Sequence, residues 1–220
     1  MELKKLRKMI SYKEKVYNEL KQAIINNELA PGEALNERRL ADSLGISRTP
    51  IREALQWLER DGWVESEPCR GTWVREISGA DIDELYQMRL ALEPMAAELA
   101  ASYISEAERE GLKTIVEELN KQPLNIKHQD FVNMDIEFHL YLAKISGNRL
   151  LYHSLNGLME MMAMYSIQNM IRKTDPYQVP IGEHIDILMA IVNRDSLGAK
   201  AAAKKHITRA YAVAAKNLKG

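Results

Sequence analysis

The stretch Glu37–Gly62, ERRLADSLGISRTPIREALQWLERDG, constrains this chain more than any other. Its apolar residues recur at helical spacing in two short blocks with a glycine between them. Leu40, Ala41 and Leu44 give the first block an apolar face, and Gly45 supplies the left-handed residue on which a helix ends. Ile46 is expected to be the buried residue of the turn. Ser47 or Thr49 can cap the next helix, and Pro50 suits its first turn, where a missing N–H costs nothing. In the second block Ile51, Ala54, Leu55 and Leu58 face inward, which leaves Arg48, Thr49, Arg52 and Gln56 outward. The pattern predicts a helix-turn-helix whose second helix offers guanidinium groups to a DNA major groove. Two arginines four apart are ordinary surface charge on an arbitrary helix. Here the turn, the cap, the proline and the segment that follows all agree.

That segment predicts a wing. Trp63–Glu67 and Thr72–Arg75 are rich in strand formers and flank Pro68-Cys69-Arg70-Gly71, a connection suited to a hairpin. Gly71 would let the backbone approach a phosphate. Arg70 either reaches into a minor groove or is merely an exposed turn residue. Upstream, residues 1–11 form a basic arm, and Tyr12–Asn27 an amphipathic helix with Val16, Leu20, Ala23 and Ile24 on one face. Pro31-Gly32 ends that helix, Leu35 anchors the next entry, and Asn36 can cap it.

With 220 residues the chain is long enough for one large or two small domains. Its 46% hydrophobic and 28% charged content is that of an ordinary soluble protein, and no apolar run could span a membrane. The start, MELKKLRKMISYKEK, is charged throughout and does not read as a signal peptide. The single cysteine, Cys69, excludes an internal disulfide and fits a reducing cytoplasm. Net charge is no argument for nucleic acid. Residues 1–76 carry 14 Lys and Arg against 13 Asp and Glu, hence +1, and residues 77–220 carry 16 against 18, hence −2. The basic signal is local: Arg38, Arg39, Arg48 and Arg52 fall within one short stretch with Asp42 between them. A focused patch is enough to bind phosphates.

Everything after Ser78 has helical periodicity. Ser78 with Asp81, and Ser105 with Glu108, are capping-box pairs that open helices ending near Ser102 and Asn120. A polar connection, Lys121–Gln129, precedes a third helix that stops at Gly147. A fourth covers Arg149–Arg172, a loop Lys173–Pro180 follows, a fifth ends near Asp195, and an Ala-rich sixth runs to Leu218. Short connections between six helices predict an antiparallel bundle. The chain is therefore expected to be mainly α, with a winged helix-turn-helix in residues 1–76 and an all-helical domain in 77–220.

Polar residues interrupt the apolar stripes of that bundle. Arg89 falls among Ile82, Leu85, Leu92, Ala96 and Leu99. Asp135 and His139 lie with Phe131, Phe138, Leu142 and Ile145. His184 sits among Ile181, Leu188 and Ile191, and His206 among Ala202, Ala203, Ala210 and Val213. Buried polar groups need partners, so these residues should satisfy one another. Asp135 and His139, four apart, point the same way from one helix. Three imidazoles and a carboxylate converging in a bundle make a divalent-metal site, with a hydrogen-bonded core histidine as the plainer reading of each one taken singly. Imidazole with carboxylate suits zinc, nickel and other first-row ions. Arg89 nearby would pair with the carboxylate of a small acid completing the metal's shell. His128 is placed in a polar loop, His153 off the apolar face, and the Met159–Met164 run in the core.

These residues resemble two known modules. Residues 12–76 are similar to the winged-helix domain of the GntR family of bacterial transcription regulators. The matching pieces are Pro31-Gly32, Leu35-Asn-Glu37-Arg38, Leu40-Ala41, Ile46-Ser47-Arg48-Thr49-Pro50, Ile51-Arg52-Glu53-Ala54-Leu55, Leu58, Asp61-Gly62 and Arg70-Gly71-Thr72. The resemblance implies operator contacts from Arg38, Arg48, Arg52 and Gly71, with Ser47 and Thr49 on phosphates. Residues 80–220 resemble the helical C-terminal domain of the FadR branch, the FCD domain. They do so through Arg89-Leu-Ala-Leu-Glu93-Pro94, Asp135-Ile-Glu-Phe-His139, Ser146-Gly-Asn148, Glu183-His184 and His206. Six helices rather than seven look like the VanR-like subgroup. The family implies a metal on Asp135, His139, His184 and His206, a homodimer on a palindromic operator, and more often a repressor than an activator.

The expected function is thus a DNA-binding regulator controlled by a small carboxylate at a metal site. Two other functions compete with it. A metallohydrolase fused to a DNA-binding module would need a general base. Glu137 and Glu183 are adjacent to ligands, and neighbouring helix positions point away from the ligand face. A regulator that senses the metal itself, with no organic effector, would use the same four ligands.

Overall fold

The computed structural model describes residues 11–121, 128–171 and 181–217. The expected basic arm, the surroundings of Pro123 and the loop at 173–180 lie outside them. The chain divides into two compact units, Met1–Glu76 and Ile77–Gly220.

The first unit orders as α1 (Tyr12–Ile25), α2 (Glu37–Leu44), α3 (Arg48–Arg60), β1 (Val64–Glu67) and β2 (Gly71–Val74). Helices α1 and α2 begin at side-chain caps, whereas Ser47, at the N-cap of α3, makes no side-chain cap bond, so the expected cap there is corrected. The Asn36 side chain accepts from the Arg38 and Arg39 amides at 3.0 and 3.1 Å, and Ser11 does the same for α1. Gly45 has φ +65°, the left-handed turn that ends α2, and α3 starts with Pro50 inside its first turn. Ile51, Ala54, Leu55 and Leu58 are buried, and α3 packs on α1, which buries Val16, Leu20 and Ile24. Full burial of each larger aliphatic chain contributes about 1.5–3 kcal/mol. Two expectations for the turn are corrected. Leu44 is 39% exposed and Ile46 only half-buried, because α2 is short and has α3 as its main helical neighbour.

The strands pair antiparallel from Val64↔Val74 to Glu67↔Gly71. The segment before α2 joins them: Gly32 N donates to Val74 O (2.9 Å), Val74 N to Glu33 O (2.9 Å), and Leu35 N to Thr72 O (2.8 Å). The Pro31-Gly32 break therefore feeds the outer edge of the wing as well as ending α1.

The second unit is helical: α4 (Gly79–Tyr103), α5 (Glu106–Lys121), α6 (His128–Ile145), α7 (Arg149–Ile171), α8 (Ile181–Val192) and α9 (Ser196–Asn217). Both capping boxes form. Ser78 and Asp81 exchange bonds at α4, as do Ser105 and Glu108 at α5. His128 is the first residue of α6, not part of a loop. Helix α8 ends at Val192, short of Asp195, because Asp195 caps the next helix, its Oδ1 accepting from Gly198 N at 2.9 Å.

Helix α4 packs on α6, α7, α8 and α9. Ala97, Ala100 and Ala101 share one core cluster with Ala199 and Ala203 of α9, and these small side chains let two backbones approach closely. With neighbours on several sides, the buried face of α4 runs through Ile82, Leu85, Tyr86, Arg89, Glu93, Ala96 and Ala100. Leu92 and Leu99 sit at its margin, half-buried. On α9 the buried positions are Ala199, Ala203, His206, Ile207 and Ala214, and Val213 is 43% exposed. His153 is exposed, while Met159, Met162 and Met164 are buried. Among the described residues no helix is long and apolar enough to cross a membrane.

Candidate functional site

On the first unit, α3 presents Arg48, Thr49, Arg52 and Gln56 to solvent, with Ser47 exposed at its N-cap. The Arg48 and Arg52 side chains are each 59% exposed. Both are held by one carboxylate. Glu37 accepts from Arg48 Nη2 at 2.7 Å and from Arg52 Nε and Nη2 at 3.0 Å each. The Arg52 and Arg48 hydrogen bonds overcome the small penalty of burial and hold the Glu37 carboxyl down at about 2. Arg38, on the next position of α2, is largely exposed, with Asp42 at 3.9 Å. At the wing tip Arg70 folds over the Trp73 ring at 4.2 Å and donates to Glu67 at 3.3 Å. Gly71 has φ +99° and open space where a Cβ would stand, so backbone conformation, not crowding, requires glycine there. The expected contact residues are each exposed, and Glu37 joins Arg48 to Arg52. The role of Glu37 was not visible in the sequence, since no periodicity relates it to arginines 11 and 15 positions on.

Inside the second unit, α6, α8 and α9 bring Asp135, His139, His184 and His206 together. One ligand atom from each lies within 4.8 Å of all the others, and all four residues are buried. Asp135 Oδ1 is 3.3 Å from His184 Nε2 and 3.6 Å from His139 Nε2, and the Nε2 atoms of His184 and His206 are 3.4 Å apart. Donors around an ion with bonds of about 2.0–2.2 Å stand at such separations, so this set fits a divalent metal. The distal nitrogens are engaged as a metal ligand's should be. Glu93 Oε2 takes His139 Nδ1 at 2.5 Å, and Glu183 Oε2 takes His206 Nδ1 at 3.0 Å. Each carboxylate fixes the tautomer that aims Nε2 inward. Arg209 braces Glu183 from outside at 2.6 Å. Phe138 lies flat on the His184 ring, with centroids 3.8 Å apart.

The fourth contributor is α4. Arg89 is wholly buried. It donates through Nε to Glu93, through Nη1 to the Met162 sulfur at 3.6 Å, and approaches His139 Nε2 through Nη2 at 3.1 Å. Its carboxylate partner here is Glu93 of its own helix. Burial would raise the acids, but Arg89 and His139 hold Glu93 at about 2, and His139 with His184 hold Asp135 well below the carboxylate range. Burial draws His139 down, yet Glu93 and Asp135 outweigh it and raise the imidazole to about 9. Without an ion this ring carries a proton at neutral pH. Arg89 and His139 are then like charges, offset by the two carboxylates. Burial, with charged His139 beside it, pushes His206 down to about 4, and burial lowers His184 as well. Those rings stay neutral, with lone pairs available.

Glu93 and Glu183 went unassigned as site residues in the sequence. Glu93 did carry a signal, being one helical turn beyond Arg89 on the same face. Glu183 precedes His184 and was set aside as pointing away. It does point away from the ligand centre, and there it meets His206. Bound to His206 and Arg209, it is not placed as a general base.

A winged helix-turn-helix joined to a helical unit with a buried polar centre defines a class, the DNA-binding transcription regulators of bacteria. The comparisons with known proteins are more specific. Residues 12–74 match the profile of bacterial regulatory proteins of the gntR family, and residues 84–209 match the FCD domain. The chain belongs to the GntR family and carries an FCD domain. It is 32% identical over 204 residues to the uncharacterized regulator YdhC of Bacillus subtilis, covering 92% of this chain and 89% of that one. It is 27% identical to the transcriptional repressor RspR of Escherichia coli, covering 88% and 85%. Among solved structures, a GntR regulator from Rhodococcus superposes with TM-score 0.69 at 25% identity over 94% of this chain and 98% of that one. McbR/YncC of E. coli shares the fold, with TM-score 0.71, 24% identity, and 94% and 99% coverage.

Proposed function

We propose that the first unit binds a palindromic operator as part of a homodimer, and that a small carboxylate at a metal centre in the second unit controls its affinity. The observation that carries the effector half is the wholly buried Arg89 guanidinium, 3.1 Å from a nitrogen of the four-residue ligand cluster. A fixed cation beside a metal site is what a carboxylate bridging the two requires. When bound, a zinc or nickel ion would supply a Lewis-acidic anchor for that acid. Asp135, His139, His184 and His206 would hold the ion, while Glu93 and Glu183 orient two of the imidazoles. An entering carboxylate competes with Glu93 for Arg89, and Arg89 lies on α4, which starts directly after the first unit ends at Glu76. Drawing Arg89 toward an acid therefore acts on the element through which the two units are joined. Two recognition helices must match half-sites set by the duplex, so a small change in their separation penalises binding. A coupling of about 1–3 kcal/mol is typical of such control.

Arg48 and Arg52 would read base edges, Arg38, Ser47 and Thr49 the phosphates, and Arg70 and Gly71 the groove beside the wing. A cytoplasmic repressor is the simplest form of this function, and one relative, RspR, is named a repressor. The test titrates hydroxy acids, dicarboxylates and sugar acids against the full-length protein on a duplex selected from a random pool. One acid class should alter wild-type affinity and leave Arg89→Ala unmoved. Equal responses in both proteins would remove Arg89 from the effector site.

A further inference from the structure

We infer that Glu37 is a specificity-determining residue, a carboxylate that positions Arg52 to read one guanine while weakening attachment to DNA of any other sequence. The inference rests on the reading of α3 as the helix that enters the groove.

A guanidinium is planar and has two donor edges, one formed by Nε with one Nη and one formed by the two Nη groups. Glu37 occupies the first edge of Arg52, with Nε to Oε1 and Nη2 to Oε2 both 3.0 Å. The geometry is a parallel, bidentate pair, the arrangement that fixes orientation as well as distance. What it leaves facing outward is the edge of the two Nη groups, the one that matches O6 and N7 of guanine. A free arginine would have to surrender much of its rotamer freedom to make that contact. Here the loss is already taken before DNA arrives.

The acid is itself held firmly. It occupies the first position of α2 behind the Asn36 cap, where the helix dipole favours a negative charge. Arg48 braces it from a second side at 2.7 Å. Its side chain is 26% exposed against 59% for each arginine, so the carboxylate sits behind the guanidinium groups and leaves them in front. The same charge repels phosphates. On a sequence with guanine in place, the repulsion is offset by a pre-aimed contact. Elsewhere it is not, and the difference between the two is specificity.

The experiment uses the full chain. Wild type selects a consensus from a random duplex pool, and Arg52→Ala identifies the base pair whose discrimination depends on Arg52. Glu37→Gln removes the charge and replaces one of the two acceptor oxygens with a donor. Glu37→Asp keeps the charge but is too short to hold the fork. At the Arg52-dependent pair, both variants are expected to lose discrimination by about tenfold, within the range a bidentate base contact supplies. On a scrambled duplex Glu37→Gln should bind more tightly than wild type, and Glu37→Asp should not. Discrimination retained in both variants would overturn the role of Glu37 and leave α3 as the reader. Equal weakening on all duplexes with a lowered melting temperature would reduce Glu37 to a structural residue. If Glu37→Gln does not fold, the outcome rests on Glu37→Asp alone. An Arg52→Ala protein that discriminates like wild type would remove α3 from the reading of bases, and this inference with it.

Discussion

Glu37 and Glu93 each grip an arginine, one on the surface of the first unit and the other in the core of the second. The chemistry is the same and the surroundings are opposite. The Arg52 side chain is 59% exposed, whereas Arg89 has no exposure at all. On the surface, water and salt screen the pair, and losing either partner costs the fold little. In the core, each charge is tolerable only because the other is present. The surface pair can thus keep its hold and still leave one edge of the arginine to DNA. The buried pair is suited to register any newcomer as a large change in energy.

The sharpest way to break this contrast is to remove the acid at each place. Glu93→Ala takes from the wholly buried Arg89 the carboxylate that offsets its charge, and is expected to cost about 3–5 kcal/mol. Glu37→Ala is expected to cost about 1 kcal/mol or less. Urea unfolding of both full-length variants makes the comparison, and equal losses would show that burial is not what separates the two pairs.

The metal sharpens it next. If the buried charges are arranged for an ion, added zinc should stabilise the wild type against heat, by about 2.7 kcal/mol at a free concentration one hundred times the dissociation constant. In His184→Ala that gain should vanish, and the metal content of purified protein should fall below one per chain. A zinc-dependent melting temperature that survives in the variant would argue for binding elsewhere. A smaller effect belongs to Glu183, which touches His206 from the half-exposed side of the bundle. Glu183→Ala should retain the fold and weaken zinc binding about 10–100-fold in a chelator competition.

These two environments also differ in how far they could be read from the chain. Asp135, His139, His184 and His206 stood out because each interrupts an apolar stripe, and a polar residue at a core position must be satisfied by something. The inward face of α3 and both capping boxes were legible for a similar reason, being local patterns with a fixed period or spacing. Burial at the edges of elements was not. Leu44, Ile46 and Val213 look like core by type, yet whether they are covered depends on which neighbours arrive and how long the helices are. Partners between helices were the hardest. Glu183 meets His206 across α8 and α9, and Glu37 meets Arg52 across a turn, and in neither case does spacing along the chain carry the information.

The smallest expected effect is the pH dependence of the surface pair, and its sign is determined by where Glu37 titrates. In the folded protein Arg52 and Arg48 hold its carboxyl at about 2, against about 4.3 in an unfolded chain. Between those values the unfolded state binds the proton and the folded state does not. The stability contributed by the pair is therefore complete above about pH 4.3. It declines as the pH falls and is lost through about pH 2. Solvent screening around two largely exposed arginines keeps the whole contribution under about 1 kcal/mol. It follows that the stability gap between wild type and Glu37→Gln should be constant from pH 7 to pH 5, shrink below that, and narrow further in high salt. Carboxyl NMR of the folded protein measures the same event directly, as a Glu37 midpoint below the ordinary carboxylate value that moves up in Arg52→Ala. A midpoint at the ordinary value in wild type would mean that the fork is not held in solution. The surface arginine would then meet DNA as free and flexible as any other, and the contrast with Arg89 would be one of order as well as of exposure.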